Sequence, residues 1–184
     1  MRKLLFVLIV TLGLTATQWQ PGALRAKEPK HYRVLATTLT STMQKELNEA
    51  AAQGYRVIVG GPSGNEMVVV MEKVSEPPET YDYRLLATQR TSTLQEELTQ
   101  AGAQGYRLIP TATLHRRRAM AEDEIALVME KAPGPPKLYI YKLVATELVM
   151  TLEKEIARMS AEGYKVVSMV RRGEHIVIME RAGD

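Results

Sequence analysis

The chain has 184 residues, of which 45% are apolar and 24% are charged, and it contains no cysteine. These proportions are typical of a globular protein, and they exclude collagen-like, disordered and disulfide-stabilised classes. The formal net charge is +3 at pH 7, and no combination of residues compels a particular chemistry.

Residues 1–26 have the layout of a secretory signal peptide. A short basic start precedes an apolar run over residues 4–16, which is too short to span a membrane comfortably. The small residues that follow predict cleavage after Ala26 or, nearer the apolar run, at Thr17. Without a cysteine, no lipoprotein anchor can form. We therefore expect an exported protein, periplasmic or extracellular, with no stable membrane anchor after processing.

Cleavage after Ala26 would remove the positive charge surplus. Arg2, Lys3 and Arg25 leave with the signal peptide, so Lys plus Arg falls from 24 to 21 and equals the 21 Asp plus Glu. A neutral mature chain gives no reason to expect nucleic-acid binding, which needs a retained basic surface.

The remainder of the chain consists of three copies of one pattern. Each copy opens on a hexapeptide of the form Tyr-basic-apolar-apolar-Ala-Thr, which starts at Tyr32, Tyr83 and Tyr141. A Gly-Tyr-basic sequence follows, with its tyrosine 23 residues after the first, at Tyr55, Tyr106 and Tyr164. Each copy ends on Met-Glu-basic, with the glutamate at Glu72, Glu130 and Glu180. The predicted units span residues 30–74, 81–132 and 139–182, and linkers with proline pairs connect them.

Each unit is predicted to form a strand, a helix and two further strands. The helices are indicated by apolar residues at helical spacing: Met43, Leu47 and Ala50; Leu94, Leu98 and Ala101; Leu152, Ile156 and Met159. Their N-caps are predicted at Thr42, Thr93 and Thr151, or else Ser41 and Ser92 form capping boxes with Gln44 and Gln95. The glycines at 54, 105 and 163 fit helix C-termini. Residues 60–65 have the composition of a hairpin loop.

Both faces of each predicted sheet are apolar, but one helix can cover only one face. Alternation along the strands assigns Val34 and Val69 to one face, and Leu35 and Val70 to the other. We therefore predict an α+β fold of three tandem βαββ units that share a core, with pseudo-threefold symmetry as one arrangement. The third strand is expected in the middle of each sheet. The residues predicted between units are Leu35, Ile58, Val70, Leu86, Ile109, Val128, Val144, Val167 and Ile178.

The repeated pattern of a Tyr-basic strand, a helix that ends in Gly-aromatic-basic, and a hairpin that ends near a glutamate resembles domain of unknown function 4177. Members of this family are small, uncharacterised bacterial domains. Each unit resembles one copy, although the aromatic residue is Tyr55, Tyr106 or Tyr164 where the family often has Trp. The resemblance covers nearly all of the chain after residue 26, and it implies a fold but no activity or catalytic residues.

Most charged positions have a structural interpretation. We expect cross-strand ion pairs between Arg33 and Glu72, and at the matching positions Arg84 with Glu130 and Lys142 with Glu180. Catalytic carboxylates are the alternative, but no second acid or base lies beside them in sequence. The histidines, His31, His115 and His175, lack any His or Cys at metal-ligand spacing. We predict no catalytic residue, metal site or cofactor.

One segment departs from the repeat, namely residues 114–124 in the second unit. It contains the run His115-Arg116-Arg117-Arg118 followed by Glu122-Asp123-Glu124, and the other two units close their hairpins with fewer residues. Long loops on rigid scaffolds often bind partners. Our hypothesis is that these four residues bind an acidic partner. The alternative is a solvated hairpin tip whose opposite charges face one another across the strands.

Taken together, these features predict a non-catalytic binding or assembly module of the cell envelope, with an unknown protein or envelope polymer as partner. Two alternatives remain open. One is an enzyme or enzyme-associated subunit with a site in a cleft between repeats, and the other is a protein that binds peptidoglycan through its tyrosines.

Overall fold

The computed structural model describes residues 31–74, 80–118, 121–135 and 137–183. The predicted signal peptide, residues 1–26, lies outside this part of the chain, so its cleavage and the export of the protein stay predictions. The side chains of residues 117, 118, 121 and 122 also lie outside the description.

Each of the three units contains a strand, a helix and two strands in that order. Unit 1 contains β1 (Tyr32–Thr37), α1 (Thr40–Ala52), β2 (Tyr55–Ser63) and β3 (Glu66–Lys73). Unit 2 contains β4 (Asp82–Thr88), α2 (Thr91–Ala103), β5 (Arg107–Arg118) and β6 (Ala121–Lys131). Unit 3 contains β7 (Tyr139–Thr146), α3 (Val149–Ala161), β8 (Lys165–Arg172) and β9 (Glu174–Ala182). The predicted α+β class is confirmed.

The helices begin earlier than predicted. Their N-cap residues are Leu39, Arg90 and Leu148, none of which makes a side-chain capping bond. In place of a cap, the hydroxyl of Thr37 accepts a hydrogen bond from the Leu39 N–H at 3.1 Å, and the threonines that end the other two hexapeptides do the same. The helix C-termini are as predicted, because Gly54 and its counterparts have positive φ.

The third strand is central in every sheet, as predicted, and all pairings are antiparallel. The strand orders are β1-β3-β2, β4-β6-β5 and β7-β9-β8. The register, however, corrects the predicted faces of the first strand. Val34 lies opposite Val70, and Leu35 lies opposite Val69. Since directly opposed residues share a face, Leu35 belongs to the face that its own helix covers, together with Val69.

Because of this correction, the residues predicted to lie between units fall into two groups. Val128 and Ile178 are fully buried in cores that combine two units, as predicted. Leu35, Leu86 and Val144 are buried too, but on the sheet face that their own helix covers. The prediction failed for these three because successive apolar residues along the first strand left its register undetermined, and it also failed for Ile58, which is 37% exposed.

The hairpins are longer than the sequence indicated. β2 continues through most of the predicted loop to Ser63, so the turn is confined to Gly64 and Asn65. In unit 2, residues 114–118 extend β5, and residues 121–124 extend β6. The extension of unit 2 is therefore largely paired strand.

The units pack in chain order. Helix α1 contacts β4 as well as β1, and α2 contacts β7 as well as β4. Strand β2 lies against β5, and β5 lies against β8. The principal contacts thus join unit 1 to unit 2 and unit 2 to unit 3. Pseudo-threefold symmetry stays a prediction, which these contacts do not require.

Candidate functional site: the interfaces between units

A buried tyrosine lies at the centre of the interface between units 1 and 2. The Tyr83 hydroxyl accepts a hydrogen bond from the Val57 N–H at 3.0 Å and donates to Oε2 of Glu130 at 2.9 Å. Burial, followed by the nearby Glu130 carboxylate, raises the pKa of Tyr83. The hydroxyl therefore stays protonated and links the edge strand of unit 1 to the central strand of unit 2.

Arg56 of unit 1 completes this interface. Its Nη2 and Nε lie 2.8 Å and 2.9 Å from the two carboxylate oxygens of Glu130, which is a bidentate ion pair. The guanidinium also lies 4.7 Å from the centre of the Tyr81 ring. The hydrogen bond to Glu130 raises the pKa of Arg56, so the guanidinium is charged at any physiological pH.

The interface between units 2 and 3 repeats these contacts at matching positions. The Tyr141 hydroxyl accepts from the Leu108 N–H at 2.8 Å and donates to Oε2 of Glu180 at 2.9 Å. Nε of Arg107 donates to Oε1 of Glu180 at 2.9 Å, and its guanidinium lies 5.5 Å from the Tyr139 ring centre. The chain thus contains the same interface twice.

A glutamine from each preceding helix covers the free edge of the next unit's first strand. In α1, Nε2 of Gln44 donates to the Tyr83 carbonyl at 2.7 Å, and its Oε1 accepts from the Leu85 N–H at 2.7 Å. Gln95 of α2 makes the same pair of bonds to β7, at 3.1 Å and 2.8 Å. Each glutamine replaces the peptide group of a neighbouring strand and satisfies an exposed sheet edge.

The predicted ion pairs are therefore wrong for Glu130 and Glu180. Glu130 pairs with Arg56 of the preceding unit and not with Arg84, and Glu180 pairs with Arg107 and not with Lys142. Arg84 stacks over the Tyr106 ring at 4.6 Å. The predicted capping boxes of Gln44 and Gln95 are also wrong, because both side chains serve the interface. One signal in the sequence could have indicated the interface role of the glutamines. The position occupied by Gln44 and Gln95 in the first two units is occupied by Glu153 in the last.

Glycine 102 allows α2 to approach unit 3 closely. A Cβ atom at this position would collide with the Tyr139 carbonyl oxygen and touch the Tyr141 ring. The matching residue is Ala51 in α1, which is buried, and Ser160 in α3, which is exposed. The small side chain is thus required where a helix packs against the next unit.

The extension of unit 2 reaches back to unit 1. Arg116 is only 3% exposed, forms an ion pair with Glu124 and donates to the Thr38 carbonyl in unit 1. Nε2 of His115 lies 3.1 Å from Oδ2 of Asp123. For Arg116, the structure therefore gives a role inside the chain, which differs from the hypothesis of an external partner. The side chains of Arg117 and Arg118 lie outside the described residues, so for them the hypothesis stays a prediction.

The tyrosine face of a unit is the sheet face that carries its first tyrosine. It comprises Tyr83, Leu85 and Val128 in unit 2, Tyr141, Leu143 and Ile178 in unit 3, and Tyr32, Val34 and Val70 in unit 1. Unit 1 and unit 2 cover the first two of these faces. Tyr32, by contrast, is 55% exposed, whereas Tyr83 and Tyr141 are each 1% exposed.

The helix side of a unit is the surface that meets the next unit. It comprises Gln44, Arg56 and Val57 in unit 1, Gln95, Arg107 and Leu108 in unit 2, and Glu153, Lys165 and Val166 in unit 3. Val57 and Leu108 are 5% and 3% exposed, whereas Val166 is 50% exposed. The three units form a row in chain order. Its two ends, the tyrosine face of unit 1 and the helix side of unit 3, therefore present the two halves of an interface.

A cleft of about 450 Å³ runs along β2, β5 and β8. Of its five charged lining residues, Arg56 pairs with Glu130 and Arg107 pairs with Glu180, and the fifth is Glu72. Within the described ranges, no three His, Cys, Asp or Glu side chains lie close enough to hold a metal ion. None of the helices described is long and apolar enough to cross a membrane.

Comparisons with known proteins add no relative to this picture. No family model, no curated protein and no solved structure matches the chain. The resemblance to domain of unknown function 4177 stays a prediction, and the functional argument rests on the geometry of the interfaces and of the two exposed ends.

Proposed function

We propose that the chain is a non-catalytic binding or assembly module that is exported to the cell envelope. The observation that carries this proposal is the exposure of an apolar tyrosine face on unit 1, which in units 2 and 3 is buried by a neighbour. Large apolar surfaces on a folded domain usually mark an interaction site. A module of repeats in a row, with a binding surface at each end, fits this pattern.

The tyrosine face of unit 1 has the properties of an interface. Val34 is 61% exposed beside Tyr32, and a shallow groove lies on the same sheet between Val59, Val68 and Val70. Among the described residues, β1 is also an edge strand of the sheet with the order β1-β3-β2. A partner that supplies hydrogen bonds to this edge and apolar contact to the face would take the place that the preceding unit has at units 2 and 3.

The helix side of unit 3 offers a second surface. Leu148, Val149 and Met150, at the start of α3, are each at least 65% exposed, and Val166 and Met169 extend the apolar area along β8. In unit 2, the corresponding helix N-terminus contacts the hairpin of unit 3, since the Thr91 hydroxyl donates to Glu174 at 2.9 Å. This surface is therefore also of the kind that binds another unit.

The test is capture of envelope components by residues 27–184, the predicted mature chain. Three variants are compared with this chain: Val34→Asp on the tyrosine face, Val166→Asp on the helix side, and Arg117→Ser with Arg118→Ser on the hairpin. We expect a component that is retained by the unmodified chain and lost with Val34→Asp or Val166→Asp. Loss only with the arginine variant would favour the hairpin hypothesis, and retention by every variant would contradict the proposal.

The inter-repeat cleft supports a second candidate function, which is the binding of a small ligand between units. It lies between units and combines two arginines and three glutamates with apolar walls, and a mixture of polar and apolar lining residues is common in small-molecule sites. Soluble peptidoglycan fragments and an NMR titration test this candidate. Shifts confined to the Leu108 and Val167 amides would favour a site in the cleft, and cleavage of the fragments would favour an enzyme.

A further inference from the structure

The two exposed ends of the row are complementary to each other. We propose that the partner of each end is a second copy of this chain, so that unit 3 of one molecule binds unit 1 of the next in the geometry already present between units 1 and 2 and between units 2 and 3. This inference rests on the proposed function and names its partner. A contact of this kind joins two different surfaces, so it produces rings of molecules if the rotation between them closes and open chains if it does not.

The main evidence is the correspondence of positions. Tyr32 occupies the position of Tyr83 and Tyr141 at the start of the hexapeptide, and Val166 occupies the position of Val57 and Leu108. In both internal interfaces, the N–H at that second position donates to the tyrosine hydroxyl. A second copy would place the Tyr32 hydroxyl against the Val166 N–H, with the apolar side chains of both surfaces buried around them.

The charges also match. Lys165 occupies the position of Arg56 and Arg107, and Glu72 occupies the position of Glu130 and Glu180. A copy docked in the same geometry would bring Lys165 to Glu72 in place of the two internal ion pairs. A lysine cannot form the bidentate pair of an arginine, so this contact between molecules is weaker than the contacts within the chain.

One position weakens the contact in a way that can be reversed. Glu153 stands where Gln44 and Gln95 bind the next strand through both an N–H and a carbonyl oxygen. An ionised carboxylate accepts from the Val34 N–H but has no proton to donate to the Tyr32 carbonyl. Glu153→Gln restores the missing donor, and we expect it to lower the dissociation constant of self-association by about tenfold, the effect of one added hydrogen bond.

The experiment is sedimentation velocity of residues 27–184 at concentrations up to about 1 mM, a range that covers weak association. Unmodified chain and Glu153→Gln are compared with Glu49→Gln, which makes the same charge change on an exposed site of α1 that lies 3.7 Å from Lys45. We expect Glu153→Gln to self-associate at the lowest protein concentration. The unmodified chain and Glu49→Gln should associate equally, at a higher concentration. If Glu153→Gln stays monomeric over the whole range, the inference is wrong.

A mixing experiment establishes which surfaces are used. Val34→Asp blocks only the tyrosine face of unit 1, and Val166→Asp blocks only the helix side of unit 3. Both side chains are exposed, so the folded chain should tolerate each change. In the Glu153→Gln background, we expect each variant alone to be monomeric and an equal mixture to form dimers that grow no further.

Three results would overturn the inference, and they differ in what they mean for the proposed function. Association of either single variant alone would mean that the contact joins two identical surfaces. Monomers throughout, combined with an envelope component whose capture needs Val34 or Val166, would mean that the ends bind a different protein. Monomers without such capture would remove both proposals.

Discussion

Tyr32 and Tyr83 occupy the same position in two repeats, but Tyr83 is buried and Tyr32 is exposed. The difference lies outside the residues themselves. Tyr83 has a preceding unit whose Val57 N–H binds its hydroxyl, whereas Tyr32 begins the first unit. The same contrast holds between Leu108 and Val166 at the other end. A repeat position therefore becomes core or surface according to its neighbour, and the ends of the row show what an interface looks like before it is covered.

The largest expected effect comes from the helix cores. Leu98 in α2 is fully buried in a core that includes residues of unit 3, whereas its counterpart Ile156 in α3 is only partly buried. Leu98→Ala should lower the free energy of unfolding by about 2–5 kcal/mol, and Ile156→Ala should cost clearly less. Urea unfolding of both variants measures the difference. Equal losses would mean that α3 is covered as completely as α2.

The close approach at Gly102 should produce the next largest effect. In an open helix, Gly→Ala is stabilising by up to about 1 kcal/mol, but at Gly102 the added methyl meets the Tyr139 carbonyl. We expect Gly102→Ala to destabilise the protein by about 1–3 kcal/mol. Ser160→Ala, at the matching exposed position of α3, should be neutral or slightly stabilising. A stabilising Gly102→Ala in thermal unfolding would contradict the packing of α2 on β7.

The tyrosine hydroxyls give a sharper comparison, because Tyr→Phe removes only one oxygen atom. Tyr83→Phe leaves the buried Val57 N–H without its acceptor, so it should cost about 1–3 kcal/mol, and Tyr141→Phe should cost a similar amount. Tyr32→Phe should change stability by less than about 0.5 kcal/mol, as exposed substitutions usually do. Three variants with the same loss would show that the hydroxyl contacts do not distinguish the interfaces from the end.

Alkaline pH should produce the smallest effect per residue. Burial raises the pKa of Tyr83 and Tyr141, whereas tyrosines of the unfolded chain ionise near pH 10. The unfolded state therefore loses protons that the folded state keeps, so stability is intact below about pH 10 and falls as pH rises above it. The expected slope is about 1.4 kcal/mol per pH unit for each of these two tyrosines. Tyr83→Phe should reduce the slope by the contribution of one tyrosine.

Much of the fold could be predicted from the sequence because the same pattern of residues occurs in all three units. Apolar spacing identified Leu98 and its counterparts, and the positive-φ glycines ended the helices as expected. The register of the first strand could not be predicted, because Val34 and Leu35 are both apolar and either could face the helix. The turn-like composition of residues 60–65 likewise concealed a strand that continues to Ser63.

The candidate site was harder to predict than the fold. Gln44, Arg56 and Glu130 come from two units and meet only when the chain folds. Within the sequence, Gln44 and Glu130 each have a nearer plausible partner, Ser41 and Arg84, and those are the partners that the sequence predicts. Arg116 illustrates the same point, because a basic run that resembles a binding loop contributes a side chain to the contact with unit 1. Contacts between repeats follow from tertiary packing and leave little local signal.

The most direct test of this account is amide hydrogen exchange, measured by NMR at low protein concentration, at three matching positions. Val57 and Leu108 donate to buried tyrosine hydroxyls, while Val166 occupies the matching position and is 50% exposed. The account predicts slow exchange at Val57 and Leu108 and fast exchange at Val166, each relative to its unprotected rate. Equal rates at the three amides would contradict the claim that the ends of the row are uncovered copies of its internal interfaces.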